Sequence, residues 1–427
     1  MFAIVPILPE TATTLAAGDR TEVRARFDKY SGTAEASTSP FGLVTIGNKR
    51  ESLTLRYGPL LTLTTVGGAE DRQLTAFHTA QMVGQLRLRR TTLTLSETVD
   101  YGTRSFVVDA YGDRGLANGA PPTGAPGATP GTGAPSSAGA TAGNGTTGSG
   151  TTGTGTTGTN VNRPTVAAQP GTFRYGDSIT QATYAYALSK REGTGFYFRY
   201  LLAGGLDEES RQSYPIIYNP SLGVYYGYVI SERSGIATSL QGSYSTSSIG
   251  IRSYNVDYNL GYRYRFTKSF SATLGGGIGY AKVLYPDGTY LEYIYLTAGT
   301  GAGIGFEYHT KLSGGILTLY ARFGYAPTLD QVRAVLDPRI SWALGATWVK
   351  RKTALYAGVN STVSVNVSKT GSLDALNAAA GGSYILGGGL IADAGVRGVY
   401  QVFEGTTTIP PSIVLFAGLT WGGSTTF

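Results

Sequence analysis

The stretch RSYNVDYNLGYRYRF, residues 252–266, decides the fold. Read alternately, it places Tyr254, Val256, Tyr258, Leu260, Tyr262, Tyr264 and Phe266 on one side. Ser253, Asn255, Asp257, Asn259, Gly261, Arg263 and Arg265 fall on the other. Successive side chains of an extended strand point to opposite faces, so strict period two predicts a β-strand. Its length is the second clue, because strands of soluble sheets usually stop after about 5–6 residues. A long tyrosine-rich apolar face against a wet, arginine-bearing one fits a strand with lipid outside and water inside.

The same pattern recurs along the chain. Val23, Ala25 and Phe27 alternate with Glu22, Arg24, Arg26 and Asp28. Leu53, Leu55 and Tyr57 oppose Ser52, Thr54 and Arg56, and Phe196, Phe198 and Tyr200 flank Arg199. Leu317, Leu319, Ala321 and Phe323 oppose Thr318, Tyr320 and Arg322, while Ile413, Leu415, Ala417 and Leu419 lead to Trp421 near the end. Tight basic turns such as Lys190-Arg191, Thr267-Lys268 and Lys350-Arg351-Lys352 recur roughly every 35–43 residues, the length of two long strands with their connections. Between them lie longer links, among them GGLDEESRQS, YPDG and EGTTTIPP. Short turns at one end and longer loops at the other predict an all-β, up-and-down antiparallel transmembrane barrel of about 18 strands. Sixteen is the alternative, because Phe41–Gly47 and residues 376–386 are poorly patterned. An even count puts both termini on the tight-turn side.

Composition agrees with this class. In 427 residues there are 62 Gly and 30 Tyr, with charged residues at 14% and a net charge of +7. Glycine relieves crowding on a curved wall, and tyrosine suits the lipid headgroup boundary. No apolar run approaches the roughly 18–20 residues of a membrane-spanning helix. The basic residues are scattered rather than gathered in one stripe, which argues against nucleic acid as a partner. With no cysteine, disulfides, thiolate metal sites and cysteine nucleophiles are excluded. Residues 1–19 read as an N-terminal segment or signal remnant, and 20–427 as a single barrel domain. Within it, residues 115–171 are almost wholly Gly, Thr, Ala, Pro and Ser. Such a segment cannot bury enough apolar surface to offset its ordering entropy, so it is expected to be a flexible loop on the long-link side.

This architecture resembles bacterial outer-membrane β-barrels over nearly the whole chain outside residues 115–171. Phe427, in register with Leu419 and Trp421, is similar to the terminal aromatic of their assembly signal, although GGSTT interrupts that last strand. The resemblance implies an outer-membrane location with both termini periplasmic and residues 115–171 extracellular. It also implies a wall bathed in outer-membrane lipids and lipopolysaccharide, and folding by the barrel-assembly machinery. An arginine-bearing barrel of this size is similar to alginate and exopolysaccharide export barrels, which would add periplasmic export components as partners.

Function in such a barrel belongs to the inward side chains. Strand phase points Arg24, Arg26, Arg56, Arg199, Arg263, Arg322, Arg339 and Arg397 into the bore, with Asp257 and Asp337 among the inward acids. An excess of arginine should concentrate anions, and the planar guanidinium suits carboxylates and sugar acids. Bracing of the wall by cross-strand ion pairs is the competing role, expected for the near-terminal Arg87, Arg89 and Arg265. Gly275, Gly277 and Gly279 share an inward phase, as do Gly299, Gly301, Gly303 and Gly305 on the following strand. These seven glycines predict a trough against which tyrosines such as Tyr293, Tyr295 and Tyr320, or an infolded loop, would lie; strong wall curvature is the other explanation. No cofactor is called for. The only histidines, His78 and His309, belong to different strand ends, metal-ligand spacing is absent, and an enzyme is not expected. Two function classes remain: a channel for anionic or polyhydroxylated solutes, which includes polysaccharide export, or a closed barrel displaying the low-complexity loop.

Overall fold

The structure is a computed structural model that describes residues 12–27, 32–48, 50–66, 72–105, 172–213, 215–297, 303–330, 335–365, 373–403 and 407–426. The chain opens with β1 (Ala12–Phe27), β2 (Gly32–Thr38), β3 (Phe41–Gly47), β4 (Glu51–Val66), β5 (Arg72–Arg87) and β6 (Thr91–Ser105). Next come β7 (Thr172–Ala187), β8 (Glu192–Gly205), a one-turn helix α1 (Glu208–Ser213), β9 (Ile217–Ser231), β10 (Ser234–Ser247) and β11 (Arg252–Arg265). Then follow β12 (Phe270–Leu284), β13 (Tyr290–Thr297), β14 (Gly303–Leu312), β15 (Gly315–Asp330) and β16 (Val335–Lys350). The last four are β17 (Thr353–Ser364), β18 (Leu373–Gly387), β19 (Leu390–Phe403) and β20 (Thr407–Thr426).

All pairings are antiparallel, and β20 closes on β1 from Thr14↔Thr426 to Phe27↔Ile413. β2 and β3 lie in one register along both β1 and β4, broken only at Ser39-Pro40, where proline has no N–H for the ladder. β13 and β14 both lie along β12. Counting each interrupted pair once gives a closed barrel of 18 strands. Both poorly patterned stretches are strands, as β3 and within β18. Following the registers once around the sheet displaces the chain by roughly 22 residues, which sets a strand tilt of about 40° and a backbone radius of about 18 Å.

The wall has the two faces read from the sequence. On β11, Tyr254, Val256, Tyr258 and Leu260 are 44–48% exposed on the outside, while Ser253, Asp257 and Asn259 are buried on the inside. Leu222, Leu274, Ile316 and Leu415 continue the exposed apolar surface around the barrel. An apolar face of that extent belongs against lipid, and a closed barrel leaves no backbone edge unsatisfied there. The chain therefore spans a membrane with strands. Among the described residues no helix is long and apolar enough to do so.

β1 begins at Ala12, ahead of the boundary drawn at Arg20, and Leu15 to Asp19 pair with Thr425 to Trp421 of β20, so residues 12–19 belong to the barrel wall. The GGSTT segment does not end the last strand, which runs through Gly422 and Gly423 to Thr426. The first residues of β1 and the last of β20 lie at the rim that carries the tight turns. Residues 115–171 and Phe427 lie outside the described residues.

Candidate pore lining

The inward arginines separate into two groups. On β1, Glu22 accepts from Arg20 at 2.9 Å and from the Arg24 Nε, and Arg20 also reaches Asp393 of β19 at 3.3 Å. Arg26 pairs in register with Val414, which faces Arg397 on the next strand, and the Arg397 guanidinium lies 5.9 Å from the Phe416 ring. Arg24, Arg26 and Arg397 thus sit in one charged patch on β19, β20 and β1, interleaved with carboxylates. Arg56 is half-buried with its guanidinium 5.2 Å from the Phe41 ring, and Arg199 is half-buried near Asp177.

Arg263 and Arg322 form the second group, and both are exposed. They share a cross-strand row: Arg263 pairs with Thr273, Thr273 with Gly305, and Gly305 with Arg322. Three strand spacings put the two backbone positions about 14 Å apart. Thr273 and Gly305 between them are small, so both guanidinium groups rise above a low floor. Arg339 and Asp337 occupy inward positions of β16, but their side chains lie outside the described residues.

Of the glycines, Gly275, Gly277 and Gly279 lie on the inner face of β12 opposite Gly261, Asn259 and Asp257. A Cβ at Gly279 would collide with the Tyr295 ring and Asp257. Gly305 has open space, its nearest neighbour being Arg322 at 3.9 Å. Gly303 belongs to β14 by its backbone only, and Gly299 and Gly301 lie outside the described residues. The two glycine rows do not run side by side in one register. Gly277 pairs with Thr297 whereas Leu274 pairs with Ile304, so the second strand carries about four extra residues between those points. Tyr293 is half-buried against the Ile251–Val283 cluster, and Tyr320 covers Gly345 rather than the expected trough.

Tyrosine over glycine is a repeated device of this inner wall. A Cβ at Gly223 would meet the Tyr197 ring at 2.5 Å, and Tyr197 donates to Gln241 across the wall. Tyr295 bonds Asn255 at 2.6 Å and Asp257 at 2.8 Å, and Asn255 donates to Asp257 at 3.1 Å. On β9–β11, Asn219, Ser221, Ser239, Gln241 and Asn259 are buried on the inner face. Toward the long-link rim an apolar cluster of Phe77, Tyr175, Leu201 and Ala203 packs with Leu60 and Ile179. Helix α1 folds over the inner face there, since a Cβ at Gly205 would strike the Ser210 backbone and Ser210 Oγ accepts from the Arg174 amide at 3.0 Å. The inner wall of the long-link half is therefore packed on this side.

The histidines fall on opposite faces. His78 is outward, 2.8 Å from the Tyr57 hydroxyl and stacked on Tyr101. His309 is inward beside Glu307 and Thr318, at 3.2 and 2.9 Å. Among the described residues no three His, Cys, Asp or Glu side chains gather to hold a metal ion. Among the described residues, the inward charges Arg20, Glu35 and Asp177 were not singled out in the sequence, although the period-two phase of their strands gives each of them.

A closed antiparallel barrel of 18 strands, apolar outside and polar within, defines a transmembrane β-barrel protein. In sequence it matches no known family and no curated protein. Among solved structures it is similar to OccK7 (OpdD) of Pseudomonas aeruginosa, with 10% identity and a TM-score of 0.44 over 98% of this chain and 100% of that one. The outer membrane protein OpdK of the same organism gives 10% identity and 0.43, over 98% and 100% of the two chains. The FrpB iron transporter of Neisseria meningitidis gives 10% and 0.48 over 91% of this chain, which spans 62% of its length.

Proposed function

We propose that this barrel is a water-filled channel of the bacterial outer membrane that favours anionic, polyhydroxylated solutes, with sugar-acid polymers in export as the substrate class that best suits its arginines. The observation that carries this reading is the exposed Arg263–Arg322 row, held over the small residues Thr273 and Gly305. A backbone radius of about 18 Å leaves room for water after both walls have extended their side chains. Exposed guanidinium groups in a low-dielectric wall attract anions, and each can hold a carboxylate through two parallel hydrogen bonds. The packed inner wall near the long-link rim puts the narrowing of the bore in that half. In this reading the tight-turn rim and both termini are periplasmic, and residues 115–171 belong to the cell surface.

Planar-bilayer recording on purified protein tests the proposal. Steady openings with anion preference support it; silence at all voltages favours a closed barrel that displays the low-complexity loop. Loss of secreted polysaccharide on deletion of the gene separates an exporter from a general porin.

A further inference from the structure

Tyrosines lie over glycine at several points of the inner wall, but Tyr320 differs in what stands beside it. Its ring covers Gly345 on β16, and its hydroxyl comes within 3.4 Å of the place a Cβ would take at Gly358 on β17. Along β16 the inward neighbours of Gly345 are Ala343 and Thr347, both small. The half-buried ring therefore rests on the wall as a raised flat surface, with one face on glycine and the other toward the bore. Gly315, at the tight-turn rim, begins the strand that carries it. At about 2.5 Å of rise per tilted residue, the ring stands roughly 12 Å above that rim, clear of the packed long-link half.

Two polar side chains border the ring on one side. Arg322 is exposed, and its stem leans away from the ring toward Gly305, where its Cγ is 3.9 Å from the place a Cβ would take. Its guanidinium is 5.9 Å from the ring centre, at the outer limit of a cation–π contact, so it flanks the ring without capping it closely. Arg322 pairs with Ala343 and Ala343 with Asn360, which puts Asn360 in the same row, about 10 Å from Arg322 by two strand spacings. Asn360 Oδ1 accepts from Asn377 at 3.1 Å, which leaves its N–H groups as donors. Glu307 pairs with Tyr320 from β14, on the side away from the ring, and lies against His309 at 3.2 Å.

We propose that Tyr320, Arg322 and Asn360 form a subsite for one uronate unit of a polysaccharide. The C–H bonds of the pyranose pack on the negative π face of Tyr320, the sugar carboxylate takes two parallel bonds from Arg322, and Asn360 donates to a sugar hydroxyl. A flat ring beside a guanidinium favours a sugar acid over a ring-free acid and over a neutral sugar, since each of those uses only half of the site. Arg263, about 14 Å from Arg322 along the same row, is placed for a carboxylate further along the chain. The inference deepens the channel reading and rests on it, because a polymer reaches Tyr320 only through an open bore.

Titration calorimetry of the purified barrel in detergent tests the subsite, with trigalacturonate, the neutral trisaccharide maltotriose and the ring-free triacid tricarballylate as probes. The wild type should bind trigalacturonate more tightly than either of the others. Tyr320→Leu should weaken trigalacturonate about tenfold and leave tricarballylate unchanged, and Tyr320→Phe, which keeps the ring, should restore the affinity. Arg322→Gln should weaken both acids. Wild-type affinity for trigalacturonate in Tyr320→Leu, or equal losses for both acids there, would overturn the subsite. Bilayer recording on the same preparation separates the two readings: absent binding in a conducting barrel removes the subsite alone, and absent binding in a silent one removes the channel with it.

Discussion

The Tyr295 hydroxyl lies 2.8 Å from Asp257 Oδ1, across β12, with the tyrosine ring laid over Gly279. A buried carboxyl group is thereby held by a side chain two strands away, and the glycine between them leaves space for the ring. Asp257 is 8% exposed, so its oxygens have little water to turn to when a donor is lost.

Tyr295→Phe keeps the ring and removes the donor. It should destabilise the barrel by about 1–2 kcal/mol, read as an earlier urea midpoint in lipid vesicles. Gly279→Val instead drives a side chain into the ring and should cost about 1–3 kcal/mol through overpacking. Wild-type midpoints for both variants would show that the ring does not rest on the glycine.

Glu22 is the hub of the charged patch on β1, since Arg20 and Arg24 both donate to it. Glu22→Gln leaves two guanidinium groups sharing Asp393 and the remaining nearby acceptors. A loss of about 1–3 kcal/mol in the same unfolding assay is expected, with unitary conductance little changed. A large conductance change at full stability would instead place this patch in the solute path.

The strand grammar was legible because a membrane barrel imposes period two on every crossing, and Tyr258 or Arg263 reveals its face from its neighbours alone. Pro40 hid the unity of β2 and β3 by interrupting a strand whose register continues on either side of it. The pairing of arginines was not legible, because phase says that Arg20 and Asp393 both point inward but not that they meet across the wall. That depends on stagger between strands. The register slip at β13–β14 was hidden for the same reason: a glycine-rich run such as GTGAGIG has no side chains to pin its partners.

Helix α1 offers a pH test at the long-link rim. Hydrogen bonds from Ser210, including its amide at 2.8 Å, hold the Asp207 carboxyl below its ordinary range. The lowered value means this cap is fully present above about pH 4 and is lost as pH falls through the folded-state value. A nitroxide on Glu209→Cys should gain mobility in acid, and Asp207→Asn should remove most of that dependence. An unchanged spectrum between neutral pH and pH 3 would show that the cap does not hold the helix.

The sharpest test of the channel reading reverses charge on the Arg263–Arg322 row. Arg263→Glu with Arg322→Glu replaces two exposed cations by two anions on a floor that offers no other charge at Thr273 or Gly305. In a tenfold potassium chloride gradient the wild type should reverse on the anion-selective side of zero. The double variant should move through zero to the cation-selective side, because a fixed charge in a low-dielectric bore acts directly on the ions beside it. Arg24→Gln is the control: its guanidinium already lies against Glu22, so its loss should move the reversal potential much less. If the double variant kept wild-type selectivity while Arg24→Gln abolished it, the solute path would run along the β19–β20–β1 wall instead.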